Sequence, residues 1–204
     1  MLTSGSHFQL ANEQGVRILR LQSADGTNLL SRECVLALTA VVHELAAEGQ
    51  SLVITGNDRF FSLGAELEEV ATLDASSGYE FSKMGQALMQ SIEQFPAPVY
   101  AAVSGYCMGG GLDLALACHR RIASPRAVFG HRGAALGLIT GWGGTQRLPR
   151  LIGKARALEM FVAAEKVGAR HALQIGLVDA VVEDPVGEAA RRAISARTPD
   201  PSAP

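Results

Sequence analysis

Helical and extended patterns alternate along this chain. Between Ser31 and Glu48 the apolar residues Val35, Leu38, Val41, Val42 and Leu45 recur at helical spacing, and Gly49 stands where such a helix stops. Ser77 to Phe95 reads as a second long helix, ended by Pro96 and Pro98. Short unbroken apolar runs, Ser51 to Ile54 and Pro98 to Val103, read as strands buried on both faces. Phe8 to Leu10 and Val16 to Leu21 read as strands about a turn at Glu13-Gln14-Gly15, and Arg121 to Ala123 and Ala127 to Phe129 as short strands about Ser124-Pro125. From Thr145 onward the pattern is mostly helical, with Lys154 to Ala164, Ala169 to Ile175 and Val186 to Ala196 as helices and Leu177 to Val182 as a last extended piece. The Pro-rich end beyond is expected to fray. The alternation predicts an α/β fold with largely parallel strands.

Composition narrows the class. A chain of 204 residues with 48% hydrophobic and 19% charged residues is long and apolar enough for a proper core. We expect a core over residues 1–182 and a short helix and tail over 183–204. A formal net charge of −2 argues against wholesale nucleic-acid binding, and the pairs Arg120-Arg121 and Arg191-Arg192 read as solvated faces. Cys34, Cys107 and Cys118 form no C-x-x-C and are odd in number, which points to buried thiols, not a disulfide framework or metal site. No apolar run reaches the ~18 residues of a membrane span. The start of the sequence lacks a basic region followed by an apolar core, so the expected location is the cytoplasm, without a membrane partner.

Two segments carry the candidate chemistry. Ser104-Gly105-Tyr106-Cys107-Met108-Gly109-Gly110-Gly111-Leu112-Asp113 joins an apolar strand to a helical pattern, Leu112 to Cys118, through three consecutive glycines. The first N–H groups of a helix lack intrahelical partners, and glycine lets a ligand approach them. Such a turn can hold a carbonyl oxygen that becomes negative during a reaction. Asp113 stands where its carboxylate can exchange a proton with what is bound. Thr55-Gly56-Asn57-Asp58-Arg59-Phe60-Phe61-Ser62-Leu63-Gly64-Ala65-Glu66-Leu67 likewise follows a strand and places a glycine before a short helical stretch, so two loops can supply two donors to one oxygen.

These paired segments resemble the signatures of the crotonase superfamily, the enoyl-CoA hydratase/isomerase family. The stretch from Gly130 through Gly137-Leu138-Ile139-Thr140-Gly141-Trp142-Gly143-Gly144-Thr145-Gln146-Arg147-Leu148-Pro149-Arg150 agrees, as does Ala163 to Val182. The resemblance implies a spiral of repeated ββα units and an acyl-CoA substrate, with no metal or other cofactor; CoA enters only as part of the substrate. It places the oxyanion hole at the N–H groups of Ala65 and Gly110. It places Asn28, Leu29, Arg59, Gly64, Ala65 and Leu67 beside the CoA ester, with Arg59 toward the nucleotide. It also implies C-terminal helices that close the acyl pocket and a homo-oligomer, a trimer or hexamer; only one candidate helix follows Val182, and the apolar Leu158, Met160, Phe161 and Val162 suggest a surface for assembly.

The departures are as informative. The hydratases of the family use two glutamates. The first position is Asp113 here, a shorter carboxylate, and the second is Gly133, with no side chain. That predicts weak hydration and leaves one-base reactions, double-bond migration or another enolate chemistry, or a decayed site that only binds CoA esters. His131 and Arg132 stand beside the vacant position; His131 can replace the missing proton carrier. An extended backbone there would turn His131 and Gly133 to one face and Arg132 to the other. Trp142 among Gly141, Gly143 and Gly144 reads as a flexible loop at the pocket. Cys107 raises a reading of another class, a thiol hydrolase, although no His and Asp/Asn partners stand at a recognisable spacing.

Overall fold

The computed structural model describes residues 5–196. The chain winds in turns that send one strand to a large sheet and the next to a smaller one before a helix returns. The first turn holds β1 (Phe8–Glu13), β2 (Val16–Leu21), β3 (Leu29–Leu30) and α1 (Arg32–Glu48). The second holds β4 (Leu52–Thr55), β5 (Phe60–Ser62), β6 (Gly64–Ala65), α2 (Leu67–Ala71) and α3 (Ala75–Glu93). The third holds β7 (Val99–Val103), β8 (Tyr106–Met108) and α4 (Gly110–Ala117). The fourth holds β9 (Arg120–Ala123), β10 (Val128–Gly130), a 3₁₀ turn at Gly133–Leu136, α5 (Gly144–Ile152) and α6 (Lys154–Val162). β11 (Val167–Gly168), α7 (Ala169–Gln174), β12 (Ala180–Val181) and α8 (Pro185–Ser195) follow.

The large sheet has the order β1-β2-β4-β7-β9-β12, the smaller β11-β10-β8-β5, and β3 pairs with β6. β2, β4, β7, β9 and β12 run parallel, as do β5, β8 and β10. This is the α/β spiral of ββα units that the resemblance implies. Period-two alternation divides the large sheet between two cores. Leu52, Ile54, Ala101 and Val103 face inward onto α1 and α3, whereas Val53, Tyr100 and Ala102 face outward, under Ala189 and Ala193 of α8. Each fully buried Val or Leu contributes about 1.5–3 kcal/mol by leaving water. The helices start where their caps stand: the Ser31 hydroxyl accepts from Cys34 N–H at 3.3 Å, and Asp74 and Ser77 form a reciprocal capping box.

Three expectations need correction. β3, β5, β6, β8 and β11 have no counterpart in the hydrophobic pattern, because two or three residues are too few to show a period. The Arg120-Arg121 pair is not a solvated face throughout. Arg121 is 5% exposed and donates to Leu177 O at 2.9 Å and Cys118 O at 2.8 Å, with Asp179 at 3.6 Å. The extended piece expected over Leu177 to Val182 shrinks to Ala180–Val181, because Leu177 and Val178 N–H both turn back to Ala172 O. The tail expected to fray lies outside the described residues.

Candidate active site

The ends of the β6 and β8 connections meet at one point. Gly64 has φ +93°, and an ideal Cβ on it would stand 2.6 Å from Gly110 N and 2.7 Å from Met108 O. Only glycine combines that backbone angle with that approach. A Cβ on Gly110 would in turn stand 3.3 Å from Ala65 N. The backbone N–H groups of Ala65 and Gly110 therefore border one small space. Gly110 opens α4, so its N–H has no acceptor inside the helix. The neighbouring groups are spent: Gly109 N–H donates to Gly130 O at 3.0 Å, and Gly109 O accepts from Leu112 and Asp113.

A cavity of about 650 Å³ opens beside this contact, and Ala65, Gly110, Asp113, His131 and Gly133 all line it. Leu29, Phe60, Tyr106 and Lys166 lie on its wall, as do the apolar residues Leu67, Val70, Leu73, Phe81, Leu136, Leu138, Ile139 and Trp142. Asp113 sits three residues after Gly110, on the same face of α4 one turn on. It is 1% exposed, and both of its oxygens are engaged. His131 Nε2 lies 3.1 Å from Oδ1, and the Thr140 hydroxyl donates to Oδ2. A Cβ on Gly144 would overlap Asp113 Oδ1, so the start of α5 must be glycine for the carboxylate to lie where it does. The His131 ring is itself held, 5.3 Å from the Phe161 ring. This arrangement can stabilise negative charge on an oxygen with two backbone donors, while a fixed carboxylate moves a proton nearby.

Gly133 departs from the extended backbone expected around it. It begins the 3₁₀ turn, so His131 and Gly133 do not alternate along one strand face. Leu138 N–H returns to Gly133 O at 2.8 Å, and a Cβ on Gly133 would stand 2.7 Å from Leu138 O. The space a side chain would need is filled by the closing of the turn. Arg132 is exposed at the cavity wall.

The residues expected beside a CoA ester separate into two groups. Leu29 and Leu67 line the cavity, and exposed Arg59 stacks its guanidinium 5.0 Å from the centre of the Phe60 ring, itself on the cavity wall. Asn28 does not line the cavity. It is 2% exposed, and its amide donates to Phe60 O at 3.0 Å and Phe61 O at 3.1 Å, bracing β5 from behind.

Trp142 is not on a flexible loop. It is 3% exposed, donates from Nε1 to Phe81 O at 3.2 Å and lies 5.3 Å from the Phe81 ring. Cys107 is fully buried, and that burial pushes its thiol well above the ordinary range; its Sγ faces Gly111 O at 3.4 Å. A thiol kept protonated and away from solvent is no nucleophile, which removes the thiol-hydrolase reading. Thr140 and Gly144 were missed as site residues. Both stand in the run that carries the resemblance, but neither has a sequence signal for its contact with Asp113, which only the fold creates.

A ββα spiral with a buried carboxylate one turn into a glycine-opened helix is the crotonase architecture. The chain belongs to the enoyl-CoA hydratase/isomerase family, whose sequence model matches residues 11–198. It is 39% identical over 180 residues to the "Probable enoyl-CoA hydratase" of Bacillus subtilis (strain 168), covering 87% of this chain and 69% of that protein. The "Crotonyl-CoA hydratase" of Syntrophomonas wolfei is 38% identical over 179 residues, covering 85% and 68% respectively. Among solved structures, Pseudomonas aeruginosa DspI superposes with a TM-score of 0.90 at 32% identity, covering 96% of this chain and 77% of that one.

Proposed function

We propose that this chain is an acyl-CoA thioester enzyme of the enoyl-CoA hydratase/isomerase type that works with one carboxylate. The thioester oxygen lies between the N–H groups of Ala65 and Gly110, and Asp113 carries the proton. The observation that supports this best is the Asp113 carboxylate itself, 1% exposed on the cavity wall with both oxygens held. A buried carboxylate fixed in this way, one turn from a free helix N–H, suits proton transfer at the carbon next to a thioester. In double-bond migration it takes a proton from Cα of a 3-enoyl ester, the charge passes to the thioester oxygen, and the proton returns to Cγ to give the 2-enoyl ester. Nothing in this route calls for a metal or redox cofactor, and CoA serves only as part of the substrate. The CoA moiety leaves the cavity past Leu29 and Lys166 on its wall, toward Arg59 stacked on Phe60.

Two-carboxylate hydration does not fit Gly133, whose side-chain space is occupied by Leu138 O. A second reading, hydration with His131 as the other proton carrier, is favoured by one contact, His131 Nε2 at 3.1 Å from Asp113 Oδ1. The two are separated by assaying 3-enoyl-CoA migration and trans-2-enoyl-CoA hydration side by side. We expect migration to be the faster, with hydration at least about a hundredfold below that of a two-carboxylate enzyme. Fast hydration that His131→Gln abolishes would establish the second reading instead. A folded protein that binds the esters and turns over neither would be a binder without chemistry. We also read α6 as part of an interface between copies of this chain, since Leu158 is 63% and Val162 67% exposed. A monomer by light scattering at micromolar concentration would overturn that.

A further inference from the structure

The turn from Thr140 to Gly144 grips Asp113 on both of its oxygens. The Thr140 hydroxyl donates to Oδ2, and Gly144 leaves the room that Oδ1 occupies. What holds this turn comes largely from α3. Gln86 Nε2 donates to Gly141 O at 2.7 Å, and Trp142 Nε1 donates to Phe81 O at 3.2 Å. The third tie is Arg147. Its Nη1 donates to Trp142 O at 3.3 Å, and its Nη2 donates at 2.7 Å to the carboxylate of Glu93, the last residue of α3. A helical side chain leans toward the start of its helix, so Arg147, one turn into α5, lies back over Gly143. Gly143 has φ +102°, and a Cβ on it would overlap Arg147 Nη1. The position is unfavourable for a guanidinium. It faces the positive end of the α5 dipole, and its Nε is buried without a partner. Stability alone gives no reason for a cation there.

We propose that Arg147 is a positioning residue for Asp113. Forked between Trp142 O and the Glu93 carboxylate, it fixes the Thr140–Gly144 turn against α3 and so keeps the Thr140 hydroxyl on Oδ2. This rests on the reading above, in which Asp113 carries the proton. The residues that line the cavity do not include Arg147, so its effect reaches the site through the turn and not through a ligand. The fork is what the position requires. A planar guanidinium spans two acceptors at once, whereas an ammonium on a flexible stem is a single point of charge.

The test is Cα hydrogen exchange of a saturated acyl-CoA in deuterium oxide, with kcat and KM read separately, for the wild type, Arg147→Met, Arg147→Lys and Glu93→Ala. We expect kcat in Arg147→Met to fall roughly ten- to a hundredfold, the scale of a misplaced catalytic group, with KM within about twofold. Arg147→Lys, which reaches one acceptor but not both, should recover part of the loss. Glu93→Ala should show a smaller loss of the same kind. The decisive arm is a Thr140→Val background. There Arg147→Met should cost less than about threefold more, because the contact it protects is already gone. Equal factors in the two backgrounds, a raised KM alone, or a lowered Tm with kcat unchanged would overturn the proposal and leave Asp113 its role. Should Arg147→Met fail to fold, Arg147→Lys and Glu93→Ala in the same two backgrounds decide the matter. A folded wild type that exchanges nothing overturns both this proposal and the reading of Asp113.

Discussion

The two sides of the cavity are built on different terms. On the donor side, β6 and the start of α4 are pressed together so closely that Gly64 has no room for a Cβ, and the Trp142 ring takes that room at Gly110. The groups offered there are backbone N–H, positioned by the fold itself. On the opposite side, the loop from His131 to Thr140 presents side chains, and Leu136, Leu138 and Ile139 are 58%, 40% and 76% exposed. It is anchored in the interior by the Asp113–His131 contact, joined by Thr140, and by the packing of His131 on Phe161. Chemistry carried by backbone donors tolerates no change at the glycines that bring them together. On the function proposed above, chemistry carried by side chains does without a member at Gly133 and is arranged around Asp113 instead.

That contrast predicts an order of effects. Gly64→Ala should be the most damaging single change, because it strains a backbone at φ +93° and pushes on Gly110 N at once. We expect kcat to fall roughly 100- to 1,000-fold, the scale of losing one oxyanion donor, with a lowered Tm. Wild-type turnover in Gly64→Ala would break the donor-side account.

On the side-chain half, Thr140→Val leaves a buried carboxylate oxygen without its donor, a loss of about 1.5–3 kcal/mol for a bond to a charged group. Activity should drop by about ten- to a hundredfold with KM little changed, and Thr140→Ser should restore most of it. Loss of KM alone would show that Thr140 touches the ligand and does not position Asp113.

Gly133→Ala should cost stability more than rate. Its Cβ must displace Leu138 O, an overpacking cost of about 1–3 kcal/mol by chemical denaturation, while turnover stays within about threefold. Adding a carboxylate there by Gly133→Glu should raise hydration only as far as the turn opens. The smallest effect belongs to Cys107→Ala. Burial holds that thiol far above its ordinary range, so below that range the thiolate is scarce, and the folded protein should resist alkylation at neutral pH. Rapid labelling of Cys107 in the folded chain would contradict its burial.

The sequence made the architecture and the meeting of the Gly64 and Gly110 turns legible for the same reason. Long helices such as α1 announce themselves by period, buried strands such as β7 by an unbroken apolar run, and the turns that need glycine show it as glycine. Asp113 was also readable, from its place one turn past Gly110. The side-chain half was not. That Thr140 and His131 meet at one carboxylate depends on how α4, α5 and the end of β10 pack, which no spacing encodes. The same limit made Trp142 look mobile amid glycines, although those glycines belong to the turn that delivers the ring into the core. Arg121 misled in the opposite way, since a charged pair on a short strand has one member on each face.

The central claim is that Asp113, beside two backbone donors, moves the proton at the carbon next to the thioester. Its most direct test is exchange of the Cα hydrogen of a saturated acyl-CoA in deuterium oxide, read by mass spectrometry, for the wild type and Asp113→Asn. Exchange needs one base and a stabilised enolate and no second carboxylate. We expect the wild type to incorporate deuterium at Cα and Asp113→Asn to be slower by roughly 100- to 10,000-fold. No exchange by the folded wild type, or equal exchange by both, would contradict the account.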